Sequence, residues 1–194
     1  MNNTSNVIPQ LLNHDYIIVI LLCIAVILIV FINRNRILAR WMEMKTRQCL
    51  NNLGLEQITN IKCPDGLGHE FNIDRLILRQ QGISILMQRK YPGKIFCADH
   101  IDHWTQMLGK KSYTFSNPLF ELDFQIKALE SCLPDVDING YLFFDHTAEF
   151  PKGHPQRVIH PANIPAELDS QNTQEISQQL MQSWNHFRAK FQKA

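Results

Sequence analysis

A run of 17 apolar residues near the N-terminus most constrains how this chain can fold. Residues 16–32 read YIIVILLCIAVILIVFI and contain no charge, amide, glycine or proline. As a helix, the run is about 26 Å long, close to the thickness of the hydrocarbon core of a bilayer. Tyr16 stands at one end, where an aromatic ring favours the membrane interface. The sequence therefore predicts a transmembrane helix over residues 16–33.

The charges on either side of this run predict its orientation. Arg34, Arg36 and Arg40 follow the run, whereas only His14 and Asp15 precede it closely. Because basic residues stay on the cytoplasmic side, we expect residues 1–15 to be extracytoplasmic and residues 37–194 to form a cytoplasmic domain. The protein would then be a single-pass protein of a bacterial-type inner membrane. A cleaved signal peptide is the alternative, but it carries its basic residues before the apolar run.

Length, net charge and cysteine content favour one intracellular domain and do not indicate a strongly charged partner. The chain has 194 residues, a net charge of +1 and 19% charged residues, so no strong overall field attracts nucleic acid or an acidic protein. Its five cysteines are odd in number and none forms a CxxC pair. We interpret them as small apolar residues in a reducing compartment rather than as a disulfide framework or a zinc site.

Hydrophobic periodicity predicts an α/β domain after the apolar run. An amphipathic helix is predicted over residues 37–53, continuing the membrane helix after a juxtamembrane break, and a second helix begins at Asn117 and Pro118. The order of helix, strands, helix, strand and helix indicates a mixed central sheet flanked by helices. The predicted strands cover residues 58–63, 71–78, 83–90, 95–97, 140–144 and 157–159, with a strand or hairpin over 104–116 and a last helix over 173–191.

Two neighbouring predicted strands carry the residues of a candidate catalytic site. Asp74 opens one strand, and Gln88 and Lys90 end the next; residues two apart share one face of a strand. Metal-dependent phosphodiester cleavage needs oxygen ligands for Mg²⁺ and a cation near the phosphate, so Asp74 and Gln88 would hold the metal. Glu43 on the preceding helix is a further candidate acid. The alternative is an ordinary solvated strand end with a turn aspartate.

Residues 41–165 resemble the nuclease-related domain (NERD) family of the restriction-endonuclease-like superfamily. The resemblance consists of an ordered set of short elements, none of them specific alone. These elements are Glu43 on a first helix, the strand at residues 73–78, Gly82 with Ile83, Tyr91-Pro-Gly-Lys-Ile95, Trp104, Asn117 with Pro118, and the strand at residues 141–144. The resemblance implies a restriction-endonuclease-like core and a role in DNA processing.

The family's Glu-x-Lys motif leaves two registers open in this chain. An ungapped match puts Met87 at the position of the glutamate and Arg89 at that of the lysine, which predicts a degenerate site because methionine does not bind Mg²⁺. A shift by one residue, through a bulge, gives Gln88 and Lys90 instead. Such a shift turns every side chain to the opposite face, so only one register is possible.

Three functional hypotheses follow. The first is a membrane-tethered DNA-binding or assembly module with a degenerate nuclease site. The second is a Mg²⁺-dependent DNA nuclease that uses Asp74, Gln88 and Lys90, with Mg²⁺ as its cofactor. The third is a structural subunit of a membrane transfer or secretion machine, whose partners are other proteins of that complex. Lys94, Lys110 and Lys111 are candidates for phosphate contacts, or form a solvated face.

Overall fold

The computed structural model describes residues 7–64, 68–170 and 176–191, with side chains from residue 16 onward. Residues 1–6 of the predicted extracytoplasmic segment, residues 65–67 of a predicted turn and residues 173–175 of the predicted last helix lie outside this description. The chain divides into two compact units, Met1–Lys45 and Thr46–Ala194.

Three helices, nine strands and a short 3-10 helix make up the described part of the chain. In chain order they are α1 (Val7–Asn51), β1 (Glu56–Pro64), β2 (Glu70–Arg79), β3 (Gly82–Arg89), β4 (Gly93–Phe96), β5 (His103–Leu108), β6 (Lys111–Ser116), α2 (Pro118–Cys132), β7 (Ile138–Phe144), β8 (Ala148–Glu149), β9 (Val158–Ile159), the 3-10 helix (Ala166–Leu168) and α3 (Gln178–Phe191).

Helix α1 is continuous where the sequence predicted a break after the apolar run. Residues 16–51 contain neither glycine nor proline, and arginine is a good helix former, so nothing in the segment interrupts the backbone ladder. Asn33 also donates from Nδ2 to the carbonyl of Ile29 at 2.8 Å, one turn earlier. Among the described residues this helix is the one long and apolar enough to cross a membrane, and its most apolar window is entirely exposed.

The larger sheet of the second unit has the strand order β1-β2-β3-β7-β9. Strand β2 is antiparallel to β1 and β3, while β3, β7 and β9 run parallel. Gln80 and Gln81 form the turn of the β2–β3 hairpin, and Gly82 is the first residue of β3 after this turn. A Cβ at Gly82 would lie 2.1 Å from the carbonyl oxygen of Asp137, which accepts the N–H of Ile83 at 2.9 Å. Glycine therefore lets the chain before β7 approach β3 closely.

This sheet separates two apolar cores because its side chains alternate between its faces. The larger core lies between one face and helices α2 and α3, and the smaller lies under the end of α1 and the 3-10 helix. The larger core includes Leu76, Ile85, Met87, Leu142, Phe144, Leu122 and Trp184; the smaller consists of Leu50, Leu53, Ile77, Leu86, Phe143, Ile159 and Leu168.

Strands β6, β5, β4 and β8, in that order, form the smaller sheet. Its inner face carries the buried side chains of Ile95 and Trp104, and its outer face is directed to solvent, an arrangement common where strands pair antiparallel. The ring of Tyr91, just after β3, stacks on Phe115 of β6 with ring centroids 4.2 Å apart. This contact attaches the smaller sheet to the end of the central strand β3.

The predicted α/β architecture is confirmed: mixed sheets flanked by helices, preceded by a long apolar helix. Residues 104–116 form the hairpin β5–β6, one of the two forms that the sequence allowed. Strand β8 and the 3-10 helix were not predicted, because two or three residues are too few to show a periodicity.

We predict that Gly140→Val destabilises the domain by about 1–3 kcal/mol, because overpacking a core forces its neighbours to move. A Cβ at Gly140 would lie 2.6 Å from Cδ1 of Ile126 and 2.8 Å from Cδ1 of Leu122, both on α2. Urea unfolding measures the change. Asn139→Val, on the other face of β7, is the control and should cost less; equal stability of the two variants would contradict the packing of α2 on β7.

Candidate functional site

The pairing of β2 with β3 brings Asp74 to the end of β3. Arg75 pairs with Leu86 at the last position of the antiparallel ladder, and Asp74 lies one residue beyond it. The N–H of Gln88 donates to Oδ2 of Asp74 at 2.7 Å, which fixes the carboxylate at the end of β3.

Arg89 lies on the same face of β3 as Met87, two residues further along, and bridges two acidic side chains. Its guanidinium donates to Oε2 of Glu121 on α2 at 2.6 Å and lies 3.6 Å from Oδ2 of Asp74. It also donates to the carbonyl of Gln88 at 2.9 Å. The side chain of Arg89 is 23% exposed, against 56% for Glu121. The positive charge therefore lies between the two carboxylates, largely shielded from water.

The described ladders on both sides of β3 contain no bulge: β2 pairs with it from Arg75–Leu86 to Arg79–Gly82, and β7 pairs with it from Ile83 to Arg89. The half-buried Gln88 lies on the face of β3 opposite to Met87 and contacts Asp74 through its backbone N–H. Lys90 is exposed just beyond the end of β3. Catalytic roles for Gln88 and Lys90 stay predictions, as does metal binding by Asp74 and Gln88.

Helix α2 supplies the other wall of this cluster. Asn117 caps the helix by accepting the N–H of Leu119 at 2.9 Å, which sets where α2 begins and hence where Glu121 points. Gln125, one turn after Glu121, is 4% exposed and donates to the carbonyl of Asn72 at 3.2 Å. Its Oε1 is buried without a hydrogen-bond partner among the described residues.

Gln125 was missed in the sequence, although a signal was present. It lies on the face of α2 that buries Leu122 and Leu129, so a polar residue interrupts an apolar stripe. Glu43, the remaining candidate, is exposed on α1 within the first unit. The cluster in the second unit therefore consists of Asp74, Arg89 and Glu121.

These residues do not fit a Mg²⁺ site. Magnesium takes hard oxygen ligands in octahedral geometry, but the guanidinium of Arg89 lies 3.6 Å from Oδ2 of Asp74, and Met87, two residues before Arg89, offers only a thioether. One oxygen of Asp74 already accepts the Gln88 amide. Across the described ranges, no three His, Cys, Asp or Glu side chains lie close enough to share a metal ion.

Two further features offer no alternative reactive centre. A polar cleft of about 340 Å³ lies at the opposite end of β2 and β3, beside Gln80 and Asp137, and Asp137 is bound by the buried Arg79 at 2.7 Å. Burial raises the pKa of the Cys63 thiol to about 12 and that of Cys97 to about 11, which suppresses their reactive thiolate forms.

The comparison with protein families agrees with this arrangement of strands. The family model described as nuclease-related domain matches residues 36–145, more than half of the chain and the whole segment from the end of α1 to β7. The chain belongs to the NERD family. No curated protein and no solved structure matches it. Membership suggests a nuclease-related function, and metal dependence would suit the domain, yet this NERD domain holds Arg89 3.6 Å from Asp74.

We predict a measurable but modest coupling between Arg89 and Glu121. A double-mutant cycle with Arg89→Gln and Glu121→Gln should give about 0.3–1 kcal/mol at low salt, because the pair is partly exposed, and less in 0.5 M NaCl. Urea unfolding of the four proteins measures it. A control cycle that combines Arg89→Gln with Glu130→Gln, at another exposed acid of α2, should give additive effects. Additive effects in the Glu121 cycle as well would contradict the bridge.

Proposed function

We propose that this NERD-family protein is a membrane-anchored module that binds DNA without cutting it. One observation carries the proposal: an arginine bridges Asp74 and Glu121 where a magnesium-dependent nuclease needs open carboxylate ligands and a lysine. Arginine stays protonated in proteins, so it cannot act as a base for the attacking water. Met87 removes the second oxygen ligand from the same face.

Exposed basic residues of the second unit support DNA as the partner. Segment 103–116 holds Lys110 and Lys111 and no acidic residue, although the chain as a whole is nearly neutral. Lys90 and Lys94 are also exposed, close in sequence to Arg89. A surface of this kind suits the phosphate backbone, which lysines contact without reading sequence.

The apolar helix supports a membrane anchor. Its apolar segment is exposed along its length, unlike the core helix of a soluble protein. The arginines after this segment favour a cytoplasmic second unit, where DNA is accessible. Protein partners are a second candidate, favoured by an exposed sheet edge in the second unit, and would make the domain a structural subunit of a membrane complex.

The purified full chain in detergent should bind plasmid DNA and leave it uncut with Mg²⁺ or Mn²⁺. The affinity should fall steeply as NaCl rises from 50 to 200 mM, because lysine–phosphate contacts release counterions. A gel-shift titration and a plasmid-nicking assay measure the two properties. Cutting that is lost in Gln88→Ala or Lys90→Ala would establish the nuclease hypothesis instead. If the chain neither binds nor cuts DNA, the result would favour the hypothesis that its partners are proteins.

The double variant Met87→Glu with Arg89→Lys should gain a metal site, since it places a carboxylate and a lysine on one face of β3, at the end where Asp74 lies. We expect Mn²⁺ to raise its unfolding temperature while leaving that of the natural chain unchanged, because a ligand stabilises the state that binds it. Adding Asp74→Asn to the double variant should abolish the gain. Equal responses of all three proteins to Mn²⁺ would show that the altered face is not what prevents metal binding.

The anchor predicts that the mature protein keeps its N-terminal segment. Membrane fractions should yield the intact chain of 22.6 kDa, resistant to alkaline carbonate extraction because a spanning helix holds it in the bilayer. Intact-mass spectrometry and extraction measure both. A shorter soluble product that begins after residue 32 would identify a cleaved signal peptide.

A further inference from the structure

Strand β6 is an exposed edge of the smaller sheet. It pairs with β5 on one side, and no described strand lies on its other side. All its residues except Phe115 are exposed, and Tyr113 is 47% exposed. An edge of six residues without proline offers unpaired backbone groups to another strand. Lys111 at one end is the single charge on this edge.

The hairpin geometry shows which backbone groups point outward. A two-residue turn joins Leu108 to Lys111, so these two form a hydrogen-bonded pair. The ladder continues at its far end, where the N–H of Asn117 donates to the carbonyl of Asp102 at 2.8 Å. Because hydrogen-bonded and non-bonded pairs alternate, the even-numbered residues of β6 direct their N–H and C=O groups away from β5. These are Ser112, Thr114 and Ser116.

The side chains of β6 divide into two kinds. The three residues with outward backbone groups are hydroxyl residues, and they share the outer, solvent-facing face of the sheet. The other face carries Tyr113 and Phe115, and Phe115 is fixed by its stacking on Tyr91. A partner strand would therefore meet hydroxyl groups on one face and aromatic rings on the other.

We propose that two copies of the chain associate by antiparallel pairing of their β6 edges, with Thr114 on the two-fold axis. In that register, Ser112 of one copy faces Ser116 of the other, Tyr113 faces Phe115, and Lys111 faces Asn117. Hydroxyl–hydroxyl and aromatic–aromatic pairs stabilise antiparallel strands, and no like charges oppose each other. The outward groups would form about six backbone hydrogen bonds across the interface.

A second copy fits this edge better than nucleic acid does. The edge alternates N–H donors with C=O acceptors, which another strand matches, whereas phosphates accept hydrogen bonds and are repelled by carbonyl oxygens. The self-complementary register satisfies the symmetry of a two-fold interface, in which the same patch occurs on both copies. The association does not depend on DNA binding or on the state of the Asp74 cluster.

Cysteine cross-linking of the full chain in detergent tests the register. Thr114→Cys should give a disulfide-linked dimer with copper phenanthroline, which accepts the two electrons released when two thiols join. Opposed Cα atoms of a hydrogen-bonded pair lie about 5.5 Å apart, within the range of a disulfide. Thr105→Cys, opposite Thr114 on β5 but one strand inside the edge, is the control. It should stay at the background set by the natural cysteines; equal yields would overturn the proposal.

A charge at the axis gives a second, independent readout. Thr114→Lys places two lysines opposite each other and should raise the dimer dissociation constant about tenfold or more, while Thr105→Lys should leave it unchanged. Light scattering or analytical ultracentrifugation measures this constant. A chain that stays monomeric would overturn the proposal, and the β6 edge would then be a candidate binding site for a different protein. A dimer unaffected by Thr114→Lys would also overturn it and would point to association through α1.

Discussion

Strand β3 is paired on both sides, antiparallel to β2 and parallel to β7, and the rest of the site depends on this double pairing. Ile83, Ile85 and Met87 enter the core under α2, while Leu86 enters the core on the other face. A slip by one residue would exchange these two sets and expose both cores. The position of Arg89 beside Asp74 is therefore set by the burial of the whole strand.

This constraint gives the charges of the site a simple explanation. Asp74 and Glu121 approach the end of β3 from a strand and a helix, and two carboxylates near each other need a compensating positive charge. A nuclease supplies that charge as a bound cation, whereas this chain supplies it covalently through Arg89. Arg89 thus neutralises both carboxylates without a bound ion.

The sequence predicted the elements of the fold better than their pairing. Strands β2 and β3 were predicted to within a residue or two because their apolar runs end at a Gln-Gly turn. The middle of α1 was harder: a break was predicted after the apolar run, yet Asn33 and the arginines that follow are compatible with a helix. The choice between the two registers of β3 was not available from the strand itself, since each of them offered a basic residue, Arg89 or Lys90, at its end.

An exposed edge strand can pair with a strand of another molecule, and a membrane anchor would make such pairing of β6 more frequent. The larger sheet ends at one side in the two-residue strand β9, whereas β6 presents six residues with one charge, no proline and no bulge. Such an edge promotes aggregation of a monomeric protein, but it provides an interface for a protein that forms oligomers. An anchor in a membrane would confine copies of the chain to two dimensions and raise their effective concentration. The backbone hydrogen bonds across the edge would then pair a larger fraction of the domains in the membrane than in dilute solution.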